Sequence, residues 1–421
     1  MRRLLKQTWS LLLGIAILML GYGLQGTLLG VRASLENFQT AVTGIIMSGY
    51  YVGLLVGSLR APILVARVGH VRVFAALLSL GSAAVLLHPV LIDAGFWFLL
   101  RFVTGYCFAG AFIVAESWLN GAATNDTRGS LLSVYMLVQM GALAGGQYLL
   151  SLADPAGFNL FILVSVLVSV AAVPMLLTAT AAPAIGKRSS VSLIDLFRIS
   201  PLGMAGVVGV GFAHSAIYAM GPVFAKVEGL PLTAIATFMA SIVLGGAAFQ
   251  WPIGRLSDRL DRRLVILAAT SLTVAVLLLD VLAPERSWLL FTIFFCVGGL
   301  SLPLYAVLVA HTNDYLSPDQ MVGASSALVL AYGVGAVIGP IAVATCMQVL
   351  GPNGFVLYLA AIHAAIGAYT AWRMTRRTAI PAAERGSYVP TAAPTTVSTA
   401  LAQEARREER PHPSSSVQMV P

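Results

Sequence analysis

Two ionisable side chains lie deep inside a long apolar stretch of this sequence, where they could do chemistry. Arg101 and Glu116 are 15 positions apart in the stretch 96–119, which places them about 22 Å apart along a helix. A charged group in such surroundings is costly and is by default a functional hypothesis. Arg101 could bind an anionic group or lower the pKa of a nearby carboxylate, or its long side chain could extend to an interface. Glu116 could carry a proton, or it could pair with Arg128.

Four other polar side chains have the same apolar setting. His214 and Tyr218 are four residues apart and therefore lie on one face of a helix. A histidine ionises near physiological pH, so His214 could bind a solute or a proton; a buried neutral histidine satisfied by a neighbour is the alternative. Gln25 and Tyr305 would lack hydrogen-bond partners in hydrocarbon. We therefore predict that these four residues, together with Arg101, line an interior cavity.

The composition defines the kind of molecule that positions these residues. The chain has 421 residues, of which 58% are hydrophobic and only 10% are charged, a balance typical of a polytopic α-helical membrane protein. The alternating segments of about 10 residues that build membrane barrels are absent. The net charge of +8 does not indicate nucleic-acid binding, because the basic residues lie in short turns between apolar runs. The three widely spaced cysteines predict no disulfide framework.

Twelve apolar runs are long enough, or nearly so, to span a bilayer, which takes about 20 residues. They are Thr8–Leu29, Ala41–Leu59, Val73–Ile92, Phe96–Leu119, Ser130–Leu152, Phe158–Ala179, Leu202–Val223, Thr233–Trp251, Leu264–Leu282, Trp288–His311, Val322–Leu350 and Phe355–Trp372. We predict an all-α membrane protein with two pseudo-symmetric six-helix bundles, residues 1–182 and 201–376. A cytoplasmic linker, 183–200, joins them and contains a short amphipathic segment, Ser192–Ile199. Residues 377–421 are rich in Ala, Pro, Thr and Ser and predict a disordered cytoplasmic tail.

Basic residues are distributed unevenly between alternate turns. Seventeen lysines and arginines lie on one side of the predicted membrane and three on the other. Because short loops rich in Lys and Arg stay in the cytoplasm, we predict that both termini are cytoplasmic. The expected location is a bacterial-type inner (plasma) membrane, where the chain would contact the lipid bilayer as a monomer.

The two predicted bundles are related in sequence. A shift of 192 positions superposes Gly53 on Gly245, and a shift of 194 superposes Gly141 on Gly335. Small residues at four-residue spacing let membrane helices pack closely. The predicted packing residues are Gly141, Gly145, Gly146, Gly335, Gly339 and Pro340. Repeats of six helices with a solute site between them are a transporter architecture.

A dense charge cluster separates the eighth and ninth spans. The segment 251–263 contains four arginines and two aspartates, which predicts a short cytoplasmic turn. We expect Gly254 to allow close helix approach. We expect Asp258 to pair with the end of the eleventh span while the protein faces outward. The predicted gate residues are Arg67, Glu116, Arg128, Gly254, Asp258, Arg259, Arg262 and Arg263.

This turn resembles the loop signature of the major facilitator superfamily of secondary transporters. The matching order is Gly254-x-x-x-Asp258-Arg259-x-x-Arg262-Arg263. The corresponding turn after the second span departs from that signature. Ala66 stands in place of the aspartate there, and only Arg67 and Gly69 match.

Other segments extend the resemblance over residues of about 1–376. Arg101-x-x-Thr104-Gly105 resembles the span-four motif associated with proton coupling, although Thr104 replaces its usual glutamine. The segment 141–146 resembles an exporter motif with Ala142 in place of its proline. Similarity to the YcaD-like branch of the superfamily is carried by Leu24–Leu28, Ala115–Asn120, Gln250–Arg255 and Leu304–Ala306. The resemblance implies two six-helix bundles, alternating access and ion coupling.

These observations predict a secondary active transporter of a small organic solute. We expect coupling to protons through Arg101 and Glu116, with export by antiport favoured and uptake by symport as the alternative. A transport-inactive membrane sensor or scaffold is an alternative from a different class. No enzyme activity, cofactor or metal site is expected, because paired catalytic groups, metal-ligand spacings and a phosphate-binding loop are absent from the sequence.

Overall fold

The computed structural model describes residues 2–122, 125–177, 192–282, 287–381, 385–386 and 388–389. These residues form α-helices and contain no strand. The helices are α1 (Arg2–Leu35), α2 (Thr40–Val68), α3 (His70–Leu87), α4 (Ala94–Ala122), α5 (Asn125–Tyr148), α6 (Asn159–Leu176), α7 (Leu193–Ile199), α8 (Pro201–Val227), α9 (Leu232–Arg259), α10 (Arg262–Leu282), α11 (Ser287–Ser301), α12 (Leu304–Asn313), α13 (Pro318–Leu350) and α14 (Asn353–Arg376).

The twelve predicted spans are confirmed as helices long and apolar enough to cross a membrane. The tenth span differs from its prediction, because α11 ends at Ser301 and α12 begins at Leu304. Pro303 explains this break, since a proline lacks the N–H for the helical hydrogen bond and its ring displaces the preceding turn.

Two helix crossings of the same kind hold each half of the molecule together. In the first half, α2 crosses α4 so closely that a Cβ at Gly53 would overlap the carbonyl oxygen of Phe102. In the second half, α9 crosses α11, and a Cβ at Gly245 would overlap the carbonyl oxygen of Phe295. The 192-position shift relates these two glycines, so the sequence repeat corresponds to a repeated packing geometry.

We expect Gly245→Val to destabilise the protein by about 1–3 kcal/mol, the usual cost of adding volume to a tightly packed site. The added side chain would have to separate α9 from the backbone of α11. Thermal unfolding in detergent would measure the change as a lower melting temperature. Gly129→Val is the matched control, because a Cβ there meets open space; equal melting temperatures for the two variants would contradict the packing argument.

Some of the predicted packing glycines lie against a neighbouring helix, and others have free space beside them. A Cβ at Gly146 would overlap the backbone of Leu20 on α1, and one at Gly335 would overlap that of Val208 on α8. Gly339 lies equally close to α8, where the carbonyl oxygen of Phe212 is 2.6 Å from the Cβ position, whereas at Gly145 the nearest atom is an ordinary 3.4 Å away. The prediction is wrong for Gly141, which is exposed with nothing near its Cβ position.

The two halves, α1–α6 and α8–α14, contact each other through several helices, and one set of these contacts lies at one end of the molecule. We call this the far end, and the opposite end, which carries the α9–α10 turn, the arginine-rich end. At the far end, the backbone N–H of Ala41 donates to Gln348 Oε1 at 3.2 Å. Nearby, Gly44 packs against the end of α13 so closely that a Cβ would overlap Ala344. The far end is therefore closed.

Part of the connecting and terminal segments is also described. The predicted amphipathic piece of the linker forms α7, in which the N–H of Ile194 donates to the Ser192 hydroxyl oxygen; residues 178–191 lie outside the described residues. Beyond α14, Arg385, Gly386, Tyr388 and Val389 pack against the α9–α10 turn and its surroundings. The predicted disorder from residue 377 therefore does not extend to these residues, and residues 390–421 lie outside the described part of the chain.

Candidate functional site: a cavity between the two halves

A cavity of about 100 Å³ lies at the centre of the molecule, between the two halves. Its lining comes from α1, α2, α4 and α5 on one side and from α8, α12 and α13 on the other. The residues that line it are Met19, Tyr22, Tyr50, Tyr51, Leu54, Ser58, Ala109, Phe112, Gln139, Met140, Leu143, His214, Tyr218, Leu302, Tyr305 and Tyr332. His214, Tyr218 and Tyr305 were predicted to line such a cavity, and the structure brings them together there.

Tyrosine rings form much of the cavity wall. In the first half, the ring centroids of Tyr22 and Tyr50 are 5.7 Å apart, and those of Tyr50 and Tyr51 are 5.3 Å apart. In the second half, Tyr305 and Tyr332 are 5.4 Å apart in an edge-to-face arrangement. Aromatic rings provide large apolar surfaces, and tyrosine adds a hydroxyl that can donate or accept a hydrogen bond. The wall therefore suits a solute that has flat apolar faces and polar edges.

The break in the tenth span supplies polar groups next to the cavity. His214 Nε2 lies 3.0 Å from the carbonyl oxygen of Ser301, the last residue of α11. A carbonyl can only accept, so His214 is protonated on Nε2, which leaves Nδ1 to accept a hydrogen bond or a proton. His363 Nδ1 lies 2.7 Å from the Leu359 carbonyl and its Nε2 lies 2.9 Å from Ser301 Oγ. By the same reasoning, His363 Nδ1–H donates to the Leu359 carbonyl, and in the neutral ring Nε2 accepts a hydrogen bond from the Ser301 hydroxyl, which ties α14 to the end of α11.

Arg101 and Gln25 are buried but do not line the cavity. The guanidinium of Arg101 stacks on the Tyr50 ring, with Cζ 4.6 Å from the ring centroid, so Tyr50 separates it from the cavity. This corrects the expectation that both residues line the cavity. Arg101 Nε and both polar atoms of the Gln25 amide lack hydrogen-bond partners, which is unusual for buried polar groups.

Glu116 is completely buried within α4. The Tyr135 hydroxyl of α5 donates a hydrogen bond to Glu116 Oε1 at 3.2 Å. Glu116 is not among the residues that line the cavity. Arg128 lies on α5, but its side chain is outside the described part of the chain, so the Glu116–Arg128 pair stays a prediction.

The gate residues of the α9–α10 turn form a connected set of ion pairs. Arg262 is buried and donates to the Asp314 carboxylate at 2.8 Å, which joins the start of α10 to the end of α12. Arg263 pairs with Asp261 at 2.7 Å. Burial raises the pKa of the Asp261 carboxyl, but hydrogen bonds from the Arg263 side chain and backbone outweigh burial and lower that pKa overall. Asp261 therefore stays ionised at neutral pH and holds Arg263 in place.

Asp258 and Gly254 have partners that the sequence did not suggest. Asp258 Oδ1 accepts the backbone N–H of Tyr388 at 2.7 Å and lies 3.5 Å from Arg262 Nη2. Gly254 packs against the Tyr388 ring, where a Cβ would lie 2.6 Å from Cε1. In this conformation, Tyr388 thus occupies the surface at which a helix contact was expected. The remaining gate residues, Arg67 and Arg259, are exposed.

Sequence reasoning missed several residues of the cavity wall, chiefly Tyr22, Tyr50, Tyr51 and Gln139. The buried Nε2 of Gln139 has no hydrogen-bond partner, so this amide at the cavity wall is available to a solute. Unassigned polar residues on the second and fifth spans were the available signal. In the part of the chain that the structure describes, no group of His, Cys, Asp and Glu could hold a metal ion.

Comparison with known proteins agrees with this architecture. The sequence profile of the Major Facilitator Superfamily matches residues 11–248 and 234–408. The uncharacterised MFS-type transporter YcaD of Escherichia fergusonii is 28% identical over 354 residues, which cover 84% of this chain and 92% of that protein. YcaD of Salmonella typhimurium matches with the same identity and coverage.

Solved structures share the fold at much lower sequence identity. A mutant of the nucleoside transporter NupG superposes with a TM-score of 0.76 at 12% identity and covers 87% of this chain and 99% of its own. A bacterial homologue of the human lysosomal transporter Spinster, in an inward-facing and occupied conformation, gives a TM-score of 0.70 at 13% identity over 90% of this chain and 99% of its own.

In the part of the chain that the structure describes, twelve helices long and apolar enough to cross a membrane form two related halves around a central cavity, which together with the family match defines a multi-pass membrane transporter. The chain belongs to the major facilitator superfamily, and its sequence is YcaD-like.

Proposed function

We propose that the protein is a proton-coupled secondary transporter of a small neutral or anionic organic solute. The observation that carries this proposal is the tyrosine-lined cavity between the two halves. A solute held there contacts both halves at once, as the hydroxyl of Tyr51 does when it donates to the Ser215 carbonyl across the interface at 3.4 Å. Binding at such an interface can therefore couple to the relative movement of the halves.

The charges near the cavity support the choice of solute. Among the described residues, no aspartate or glutamate lines the cavity. A cation, Arg101, lies against the ring of Tyr50, which lines the cavity. A positive charge in a low-dielectric region favours a neutral or anionic solute over a cation. The amide of Gln139 and the Nδ1 of His214 could donate to and accept from the polar edge of that solute.

Two groups are the candidates for proton coupling. His214 lines the cavity, and its Nδ1 has no hydrogen-bond partner among the described residues. Glu116 is a carboxyl that is buried in α4 beside Tyr135. A proton on either group removes or adds a charge inside the membrane, so its transfer can bias one conformation over the other.

We further propose that the arginine-rich end faces the cytoplasm, because short loops rich in arginine are retained there. Both termini then lie in the cytoplasm of a bacterial-type cell, and the protein is a monomer in the inner membrane. Since the far end is closed by the contact between Ala41 and Gln348, the conformation described here is inward-facing. Export by antiport remains the favoured direction and uptake by symport the alternative.

The test is transport by purified protein in sealed vesicles with an imposed pH gradient. Thermal-shift screening of neutral, anionic and cationic organic solutes would first identify a binder, because a ligand that binds the folded state raises the melting temperature. Solute movement against the direction of proton flow supports antiport, and movement with it supports symport. Stabilisation by lipophilic cations alone would contradict the proposed solute class, and binding without any flux would favour a sensor.

We expect Tyr332→Ala to weaken solute binding by about tenfold, because a ring contact and a hydroxyl contribute about 1.4 kcal/mol together. Tyr332 contacts Tyr305 and lines the cavity. Tyr148→Ala makes the same change at an exposed position and should leave affinity unchanged. The two dissociation constants, measured by titration of the identified binder, check the prediction; equal values would place the binding site elsewhere.

A further inference from the structure

A segment that follows α14 returns to the arginine-rich end and binds there through backbone and side-chain contacts. We call the four described residues Arg385, Gly386, Tyr388 and Val389 the strap. Arg385 donates to the Leu260 carbonyl in the α9–α10 turn and to the Ile380 carbonyl at 2.9 Å. Val389 is buried, although it lies in a segment whose composition predicts disorder.

The centre of the strap is held by charged groups of the transporter signature. The N–H of Gly386 donates to Asp314 Oδ1 at 3.4 Å, and its carbonyl accepts from the Arg262 guanidinium. The N–H of Tyr388 donates to Asp258 Oδ1 at 2.7 Å. Hydrogen bonds to ionised groups are stronger than those between neutral groups. The Arg262–Asp314 pair thus gains a backbone partner for each of its members.

The Tyr388 side chain packs against Gly254 and hydrogen-bonds to Gln250, both on α9. Its ring lies against Gly254, where any side chain would collide with it. At the tip of the ring, the hydroxyl accepts a hydrogen bond from Gln250 Nε2 at 2.6 Å. Gln250 and Gly254 are four residues apart on one face of α9, so the ring lies along that face toward the interior.

The strap connects the α9–α10 turn to the end of a short, separate helix, α12. Asp314 directly follows α12, a helix of 10 residues that Pro303 separates from α11. Leu302 and Tyr305, at the other end of α12, line the cavity. A contact at Asp314 can therefore influence the position of the cavity wall through one short helix.

We propose that the strap is an intramolecular latch, which stabilises the conformation closed at the far end and slows the change to the conformation closed at the arginine-rich end. This inference rests on the proposed alternating movement of the two halves. When the far end opens, the halves must approach each other at the arginine-rich end. No helix of the first half can contact the Gly254 surface while the Tyr388 ring covers it, so the strap must leave first. Contacts made in only one of two states shift the equilibrium toward that state.

Labelling of a single cysteine from each side of sealed vesicles tests the latch without a transported solute. The reporter is Ser58→Cys on the cavity wall, in a full-length chain whose native Cys107, Cys296 and Cys346 are replaced by serine. Tyr388→Ala removes the ring contact and the Gln250 hydrogen bond. We expect this variant to increase the labelling rate from the far side by about fivefold or more. Loss of one ordinary hydrogen bond and its packing changes the ratio of the two conformations by about that factor.

Matched controls separate the latch from general damage. Arg385→Ala should act in the same direction as Tyr388→Ala, whereas Arg376→Ala and Tyr148→Ala make the same chemical changes at exposed positions outside the strap and should not. Tyr388→Phe keeps the ring on Gly254 and serves if the alanine variant does not fold; it should give a smaller increase in the same direction. Unchanged far-side labelling in folded strap variants would overturn the latch. The labelling rate reports the conformation directly and needs no transported solute. The latch can therefore be tested even if no transport activity is found.

Discussion

Replacing Glu116 with glutamine is expected to abolish solute accumulation driven by a pH gradient while preserving exchange of solute at equal pH. Glutamine keeps the shape of the side chain and can still accept the hydrogen bond from Tyr135. It cannot bind or release a proton, so movement of the halves would no longer be linked to proton flow. Accumulation and counterflow in sealed vesicles, measured with the same preparation, separate the two effects.

The matched control is Glu228→Gln, the same change at an exposed position just beyond α8. It should leave both accumulation and exchange at wild-type values. Full accumulation by Glu116→Gln would remove Glu116 as the proton carrier and leave His214 as the candidate. Equal loss of accumulation and exchange would show that Glu116 has a structural role in the packing of α4 against α5.

The spans could be predicted because a bilayer requires long apolar runs, and this requirement does not depend on which other helices a span packs against. The same rule did not reveal the break at Pro303. Pro62, Pro222 and Pro340 lie within unbroken helices, since neighbouring groups in membrane proteins can satisfy the freed carbonyls. A proline in an apolar run therefore predicts a weak point, and only the partners of the freed carbonyl show whether the helix ends. Here α11 ends at Ser301, and the carbonyl of that last residue lies 3.0 Å from His214 Nε2.

The cavity was only partly predictable, because the sequence does not fix how a helix buried on all sides is rotated. His214 and Tyr218 share a face, and the structure directs that face to the cavity. On α4, apolar residues surround Arg101 on every side, so no pattern distinguished the cavity face from the Tyr50 face. The glycine spacing had the same ambiguity, since Gly146 contacts α1 whereas Gly141 faces open space.

The strap shows why composition predicts local disorder but not docking. The segment that contains Tyr388 and Val389 is too polar to form a core of its own. It is ordered because its backbone groups meet Asp258, Asp314 and Arg262, which are distant in the sequence. Complementarity of that kind appears only when the folded positions of the charges are known.

Gly44→Val is expected to hinder closure of the far end and to reduce transport by about fivefold or more. A Cβ at Gly44 would lie 3.2 Å from the carbonyl carbon of Pro340 and would overlap Ala344, so the larger side chain must separate α2 from α13. Overpacking of this kind costs about 1–3 kcal/mol, and because that cost falls on one conformation only, it shifts the equilibrium by about 5- to 150-fold.

The Ser58→Cys reporter distinguishes this effect from simple misfolding. A protein held open at the far end should be labelled faster from the far side and more slowly from the arginine-rich end, whereas an unfolded protein is labelled from both. Gly141→Val is the matched control, because a Cβ at that position meets open space. If Gly44→Val left far-side labelling at the wild-type rate, the contact of α2 with α13 could not be the closure that separates the two conformations, and the assignment of this structure as inward-facing would fail with it.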